Sequence, residues 1–471
     1  MGLRVCLVDP PGIVKGLNIG LGYLASSLIR EGYQVRVLDL NNNSRSVKER
    51  LAGVKDFDVV GVSVKSSTAK AAGRIAEAIG RRDLICGGAH ITIDGCNFLE
   101  RNSNFRVGVV GEGEETLGEI VRAVENDVSL RGVRGVIFRE GDKVVVNSRR
   151  SFVDDLDSLP DPNYEVFDSF RGSIGHYPLV TSKGCPYGCV YCCVGEVSGR
   201  RWRTRAPERL MEELQRAKSR YGSKSFEIVD DNFTFDLARA KRFCRLMIEH
   251  GLGLDWACYN GIRADRLDEE LVALMKASGC NVVSIGVESL DDDVFGRIGK
   301  GETLEDIRRA VHLLRKYRIE VDGSFIIGLP GDSLSKTVAS VRLCGEMRFD
   351  KTMWNLFVPY PGTRAWKWVN EEGRILRDWN EGFHFGSGVK PVFETEDFTE
   401  AERVRAYTLA NTKCRGYFAL MDAEKSLVGN VVDIGRLVLK YDSRNFLSHV
   451  SGALRSAVDF RHRIREFEKI A

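Results

Sequence analysis

The feature that most restricts the fold is an alternation of strand-like and helix-like segments that runs through the chain twice. Residues 1–150 read as "LRVCLVD", "IGLGYLASSLIREG", "QVRVLDL", "DVVGVSV", an Ala-rich helix from about Ser67, "RDLICGG" and "RVGVVGEG". Such alternation implies parallel strands covered by helices on both faces, with ligand loops at the strands' carboxyl ends. A second run starts at "LVTSKG" and continues through "SFEIVDD", "LDWACYN", "NVVSIGVES", "VDGSFIIGLPG" and "TMWNLFVPYPGT". Helical stretches such as "PERLMEELQRAKSRYG" and "DEELVALMKASG" separate its members. Six units of this kind make a partial barrel, with catalytic groups expected at its strands' carboxyl ends.

The expected class is therefore α/β, which suits 471 residues, a length for about two to four domains. A Rossmann-like domain spans 1–150, an acidic linker with two prolines ("FVDDLDSLPDPNYEVFD") falls in 151–178, a partial (β/α)6 barrel spans 179–363, and a mainly helical region spans 364–471. That last region rests on "EAERVRAYTLANTKCRGYFALMDAEK" and "FLSHVSGALRSAVDFRHRIREFEKI", both with helical periodicity. Trp366, Trp368 and Trp379 either line a cleft or, as aromatics more often do, pack a domain interface.

Lys plus Arg (69) nearly balance Asp plus Glu (66), so the charge gives no reason to expect nucleic acid or a membrane as partner. The local run Arg200, Arg201, Arg203 and Arg205 reads as a solvated face or a loop rather than a phosphate-binding arm. No stretch of about 18 apolar residues predicts a transmembrane helix. The amino-terminal segment lacks a signal-peptide pattern, and Cys6 stands where myristoylation calls for Ser or Thr. A cytoplasmic location with reduced thiols is expected.

Gly20-Leu21-Gly22-Tyr23-Leu24-Ala25 fits a dinucleotide fingerprint, and Asp39 follows at a suitable distance. Its position argues against NAD, because "PPGIVKGLNI" separates Asp9 from Gly20 and keeps the helix N-terminus from a pyrophosphate. The long first loop, "GGAH" and "GEGEE" would instead frame a wide, flat ligand. In this the sequence resembles the cobalamin-binding domain at the N-terminus of one branch of radical S-adenosylmethionine enzymes.

The resemblance implies cobalamin contacts from Pro11, Asn18 and Gly20, from Lys65 and Ser66, from Gly87, Gly88 and His90, and from Gly111, Glu112 and Gly113. Taken singly, Gly87 and Gly88 also suit a strand-end turn, and Glu112, Glu114 and Glu115 suit a helix N-terminus. No histidine precedes His90, so no first-strand-loop histidine ligates cobalt; its lower face is open or approached by Lys65 or Ser66. His90 reads equally as a cofactor contact and as a turn or core histidine.

"GCPYGCVYCCVGE" places Cys185, Cys189, Cys192 and Cys193 within nine residues. Structural zinc asks for four closed ligands, usually in two pairs, and no second pair accompanies these. Electron-transfer iron–sulfur clusters normally take four cysteines as well. Three thiolates on a 4Fe-4S cube leave one iron free for a cosubstrate. CxxxCxxC with Tyr191 before its last cysteine resembles the radical S-adenosylmethionine superfamily, which implies Cys185, Cys189 and Cys192 as cluster ligands and Cys193 as a bystander.

The same resemblance implies S-adenosylmethionine contacts from Tyr191, Asp230, Asp231, Arg263, Glu288, Ser289 and Gly328. Asp230 and Asp231 also read as an exposed helix-entry pair, and Arg263 as a surface ion-pair partner. The cofactors implied are a 4Fe-4S cluster, S-adenosylmethionine and methylcobalamin, with a flavodoxin- or ferredoxin-type electron donor. The reaction implied is methyl transfer to an sp3 carbon by way of a 5′-deoxyadenosyl radical. A protein or peptide residue, such as a glutamine of methyl-coenzyme M reductase, is the first acceptor to test, and a small-molecule precursor is the other class. Ring closure or rearrangement without methyl transfer is the alternative.

Overall fold

The computed structural model describes residues 2–12, 15–42, 47–382, 389–421, 425–443, 446, 449, 452–458 and 460. The first run of alternation forms one sheet from β1 (Arg4–Asp9), β2 (Gln34–Asp39), β3 (Val59–Ser63), β4 (Leu84–Gly87), β5 (Phe105–Val109), β6 (Val136–Glu140) and β7 (Lys143–Val146). Its order is β2-β1-β3-β4-β5-β6-β7. The first five strands are parallel, and β6 and β7 close the edge as an antiparallel hairpin. The order reverses between β1 and β3, so the crevice at their carboxyl ends is the natural ligand seat of this topology. Val5, Leu7, Ile85 and Val107 on one sheet face and Cys6, Val60, Val62 and Cys86 on the other are buried under helices, as strands covered on both faces require.

The second run begins at β8 (His176–Leu179) and includes a two-stranded piece of β9 (Ser182–Lys183) and β10 (Arg203–Thr204). It continues through β11 (Ser225–Ile228), β12 (Asp255–Cys258), β13 (Cys280–Glu288), β14 (Glu320–Ile327) and β15 (Lys351–Leu356). Six of these strands pair in parallel in the order β15-β14-β13-β12-β11-β8, a partial barrel with two free edges. Helices Arg364–Glu372, Glu400–Lys413 and Leu427–Asp442 follow, so the carboxyl-terminal part is mainly helical. Much of the expected helix at 446–470 lies outside the described residues.

The acidic linker is docked along its length. Tyr164 is fully buried and packs edge-on to Tyr177. Asp161 accepts from Arg205 and Arg209 at 3.0 and 3.3 Å and also from Arg216, while Asp168 pairs with Arg50. No helix of the described residues is long and apolar enough to cross a membrane.

Candidate functional site

The carboxyl ends of both sheets meet at a cavity of about 400 Å³. From the first domain it is lined by Asn18, Gly20, Lys65, Gly87, Gly88, Gly111, Glu112 and Gly113, and from the second by Ser182, Lys183, Ser198 and Asp231. Eight residues expected from sequence around a flat ligand therefore share one wall. Asn18 organises that wall: its Nδ2 donates to Asp9 Oδ1 at 2.6 Å and Ser63 Oγ at 3.1 Å, and its Oδ1 caps the helix Ile19–Arg30. The strands on either side of the topological reversal are thus tied together. Gly88 has φ 122°, and a Cβ there would lie 2.7 Å from the Val64 carbonyl oxygen, whereas a Cβ on Gly111 (φ 83°) would meet nothing within 4 Å. One glycine lets the turn close, and the other leaves room for a ligand.

Pro11, Ser66 and His90 do not line this cavity. Pro11 is buried. His90 is 1% exposed; its ring stacks on Trp379 at 5.4 Å and meets Phe98 edge-on, and its Nδ1 lies 3.3 Å from Ser66 Oγ. Burial lowers its basicity. Of the two readings of His90, the packed one describes its surroundings, and Trp379 packs the interface against it. A second cavity, about 740 Å³, runs between β15 and the carboxyl-terminal helices and includes Tyr191, Trp354, Phe357, Tyr360 and Tyr407 but not Trp366, Trp368 or Trp379.

Glu112 and Glu114 line the cavity and in addition make ion pairs that the sequence did not display. Glu112 accepts from Arg203 Nη1 at 3.0 Å on both oxygens and from the Val153 N–H at 2.7 Å. Lys183 Nζ reaches Glu114 at 3.0 Å and Glu112 at 3.4 Å. The "GEGEE" carboxylates therefore clasp the two strands that flank the cysteine loop. Arg203 and Arg205 are 4% and 2% exposed, so half of the basic run is neither a solvated face nor a phosphate arm; Arg205 pairs with buried Glu213. Desolvation excludes unpaired buried arginines, a constraint no local pattern displays.

The cysteine loop leaves β9 through Gly184 (φ 87°), where a Cβ would strike the Arg201 carbonyl. The Gly184 N–H donates to Asp231 Oδ2 at 2.8 Å, and the Val190 N–H donates to the Ile298 carbonyl at 2.9 Å. Cys185, Cys189 and Cys192 are half-buried, and Asn232 Nδ2 approaches Cys185 Sγ at 3.7 Å. Burial pushes the Cys192 thiol up to about 12 and raises Cys189, against the charges of Lys300 and Arg263. Among the described residues no three His, Cys, Asp or Glu side chains converge on a single-ion site. A cubane makes a different demand, because each thiolate reaches its own iron rather than one shared ion about 2.3 Å away.

Beside the loop, Tyr191 donates to Glu288 Oε1 at 2.8 Å, and Glu288 sits at φ 65° beyond a register shift in β13. Lys300 Nζ lies 3.5 Å from Glu288 and 3.1 Å from Glu302, and Glu302 lies 3.5 Å from Arg263. The sequence reading missed Lys300 and Glu302, which carry no motif and arrive from a turn after the helix Asp292–Arg297.

Four expected contacts have hydrogen-bond partners within the protein. Asp230 accepts from the Thr181 N–H and hydroxyl and from Ser182 Oγ, at 2.6, 2.5 and 2.7 Å, so it holds the strand end rather than facing outward. Arg263 lies 3.5 Å over the Tyr187 ring and donates to Asp265 and the Lys300 carbonyl, bracing the cysteine loop from beneath. Ser289 Oγ accepts from the Asp291 N–H in a turn. Gly328 (φ 94°) donates its N–H to Asp332 and leaves space for Arg403, whose Nη1 donates to the Gly328 carbonyl at 3.2 Å.

Comparison with known proteins agrees with this geometry. Residues 14–121 match the B12 binding domain, and residues 179–344 match the Radical SAM superfamily. An uncharacterized methyltransferase of Pyrococcus horikoshii, PH0819, is 27% identical over 463 residues, covering 94% of this chain and 98% of its own. The anaerobic magnesium-protoporphyrin IX monomethyl ester cyclase of Cereibacter sphaeroides is 26% identical over 68% of this chain and 52% of its own. The fold is shared with TsrM from Kitasatospora setae, a radical S-adenosylmethionine methyltransferase solved with cobalamin and a [4Fe-4S] cluster, at TM-score 0.75 and 18% identity over 97% and 99% of the two chains. A B12-binding domain followed by a radical SAM domain brings together cobalamin, S-adenosylmethionine and a 4Fe-4S cluster, and this chain carries that pair.

Proposed function

We propose that the protein transfers a methyl group from methylcobalamin to an unactivated sp3 carbon. The observation that carries this reading is the cavity lined from the carboxyl ends of both sheets, where a ligand on the first domain's glycine wall would lie beside the strand entering the cysteine loop. When bound, the three cofactors supply reductive cleavage, hydrogen abstraction and the methyl group, while the protein supplies position and exclusion of water.

Cys185, Cys189 and Cys192 hold the cluster in this reading, with Cys193 outside it. Tyr191, Asp231 and Glu288 face the cosubstrate, and Asp230, Arg263, Ser289 and Gly328 support those that do. Asn18, Gly20, Lys65, Gly87, Gly88, Gly111 and Gly113 contact cobalamin; Glu112 borders it while clasping Arg203. Lys65, which lines the cavity where Ser66 and His90 do not, would hold the cofactor from the end of β3. The chain divides at 1–150, 151–178, 179–363 and 364–471. It acts in the cytoplasm and draws electrons from a flavodoxin or ferredoxin. A protein residue, a glutamine of methyl-coenzyme M reductase among them, and a small-molecule precursor are the acceptor classes to assay.

The test needs no acceptor. Anaerobic protein with reconstituted cluster and reduced cobalamin is given S-adenosylmethionine; methylcobalamin and S-adenosylhomocysteine are expected together. Tight cobalamin binding with 5′-deoxyadenosine as the only product would overturn methyl transfer and favour ring chemistry, the second reading, which the similarity to the cyclase supports.

A further inference from the structure

The interior of the partial barrel holds a buried carboxylate that the reading above does not use. Along β14, Val321, Phe325 and Ile327 pack outward, with Phe325 stacked on Trp354 at 4.0 Å, so the alternate residues Glu320, Asp322, Ser324 and Ile326 face the barrel interior. Register sets Asp322 between Ser284 of β13 and Lys351 of β15. Asp322 is 7% exposed, and its Oδ1 has no hydrogen-bond partner. Glu288 pairs with Phe325, which puts Asp322 about 10 Å below the level of Glu288 at roughly 3.3 Å per residue.

The charges around it have one dominant sign. Glu320 shares its strand, Asp350 precedes β15, and Glu227 faces the same interior from β11. Lys351 is the neighbouring cation, and its Nζ is already bonded to Glu320 Oε1. At the lower mouth His176 lies 2.8 Å from Ser225 Oγ and 3.7 Å from Glu227. Burial together with Glu320 and Asp350 pushes Asp322 up to about 6, against Lys351. Lys351 also bonds the carboxylate through its backbone N–H, so Oδ1 is the atom left over; a buried carboxylate oxygen without a hydrogen bond is costly, and a cationic donor offsets both its desolvation and its missing bond. An anion would add repulsion, and a neutral hydroxyl would supply the missing bond without offsetting the excess of Glu320 and Asp350 over Lys351.

We propose that Asp322 anchors the acceptor by a cationic nitrogen, ammonium or guanidinium, at the end remote from the carbon that reacts near Glu288. This rests on the reading that the chemistry takes place at the barrel mouth. The site selects acceptors by charge and by the spacing between the cationic group and the reacting carbon.

The experiment is calorimetric titration of the full chain, loaded with cluster and cobalamin, at pH 7.5 with n-pentylammonium and n-pentanol. Pentylammonium should bind at least about ten-fold tighter than pentanol, a difference of about 1.4 kcal/mol. Asp322→Asn should abolish the preference, and Lys351→Gln should tighten ammonium binding. Equal binding of the two probes, or an undiminished preference in Asp322→Asn, overturns the proposal. If Asp322→Asn does not fold, unchanged or weaker binding to Lys351→Gln overturns it alone. A blocked lysine peptide that binds tighter than pentylammonium assigns a peptidic acceptor, and the reverse order assigns a small amine. Wild-type protein that fails to cleave S-adenosylmethionine sinks the reaction reading, whereas cleavage without probe preference sinks only the anchor.

Discussion

Replacing Arg203 with alanine would cut the clasp between the domains at a point where the structure sets the cost. Its side chain is 2% exposed, and its guanidinium donates to both Glu112 oxygens at 3.0 Å, to the Val153 carbonyl at 2.6 Å and to the Ser198 carbonyl at 2.8 Å. Removing one partner of a buried pair costs about 3–5 kcal/mol. Glu112 would keep the Val153 N–H at 2.7 Å and Lys183 at 3.4 Å. Those two contacts place the loss at the lower end, about 3 kcal/mol, which for a unit of about 150–250 residues lowers the transition by about 6–12 °C. The assay is calorimetry at a fixed scan rate, since unfolding of several domains is not a single equilibrium. Glu112→Gln with Arg203→Met removes both charges and should recover part of the loss. A shift under about 2 °C for Arg203→Ala, or a double variant lower than the single, would refute the clasp.

Other expectations follow from the site. Cys185→Ala, Cys189→Ala and Cys192→Ala should each abolish formation of 5′-deoxyadenosine, while Cys193→Ala should retain it; anaerobic chromatography of products decides. Gly111→Leu places a side chain in open cavity at a positive φ, so cobalamin affinity should fall at least about ten-fold by equilibrium dialysis. Asp9 is held up to about 6 by burial, above its value of about 3.9 in the unfolded chain. The folded state therefore binds this proton more tightly, and the stability this gives at acid pH is lost between about pH 4 and 6. Asp9→Asn should remove that slope, up to about 3 kcal/mol, in urea unfolding at pH 4 and pH 7; parallel curves for the two proteins would sink the assignment.

Much of the architecture was legible in the sequence, because hydrophobic runs and turn residues record local periodicity. Both parallel sheets and the mainly helical carboxyl-terminal part follow that record. The antiparallel hairpin of β6 and β7 did not enter the reading, although Gly141 between them marks its turn. Gly87, Gly88, Gly111 and Gly113 were picked out as ligand-facing and do share a cavity, because glycines at strand ends let the chain turn sharply there, as at Gly88 and Gly111 with their positive φ. His90 and Asp230 looked similar in sequence to residues that face a ligand, and the chain turns both inward.

The sequence by itself determined the order of elements, the spacing of three cysteines and the glycine-bearing strand ends, since each depends on neighbours a few residues apart. Only the tertiary structure decided which charges pair. Glu112 with Arg203, Glu114 with Lys183, Arg263 with Glu302, and Asp322 left without a hydrogen bond at Oδ1 are outcomes of burial among residues far apart in the chain. A charge's partner is set by which groups lose water together, and that is a property of the folded interior.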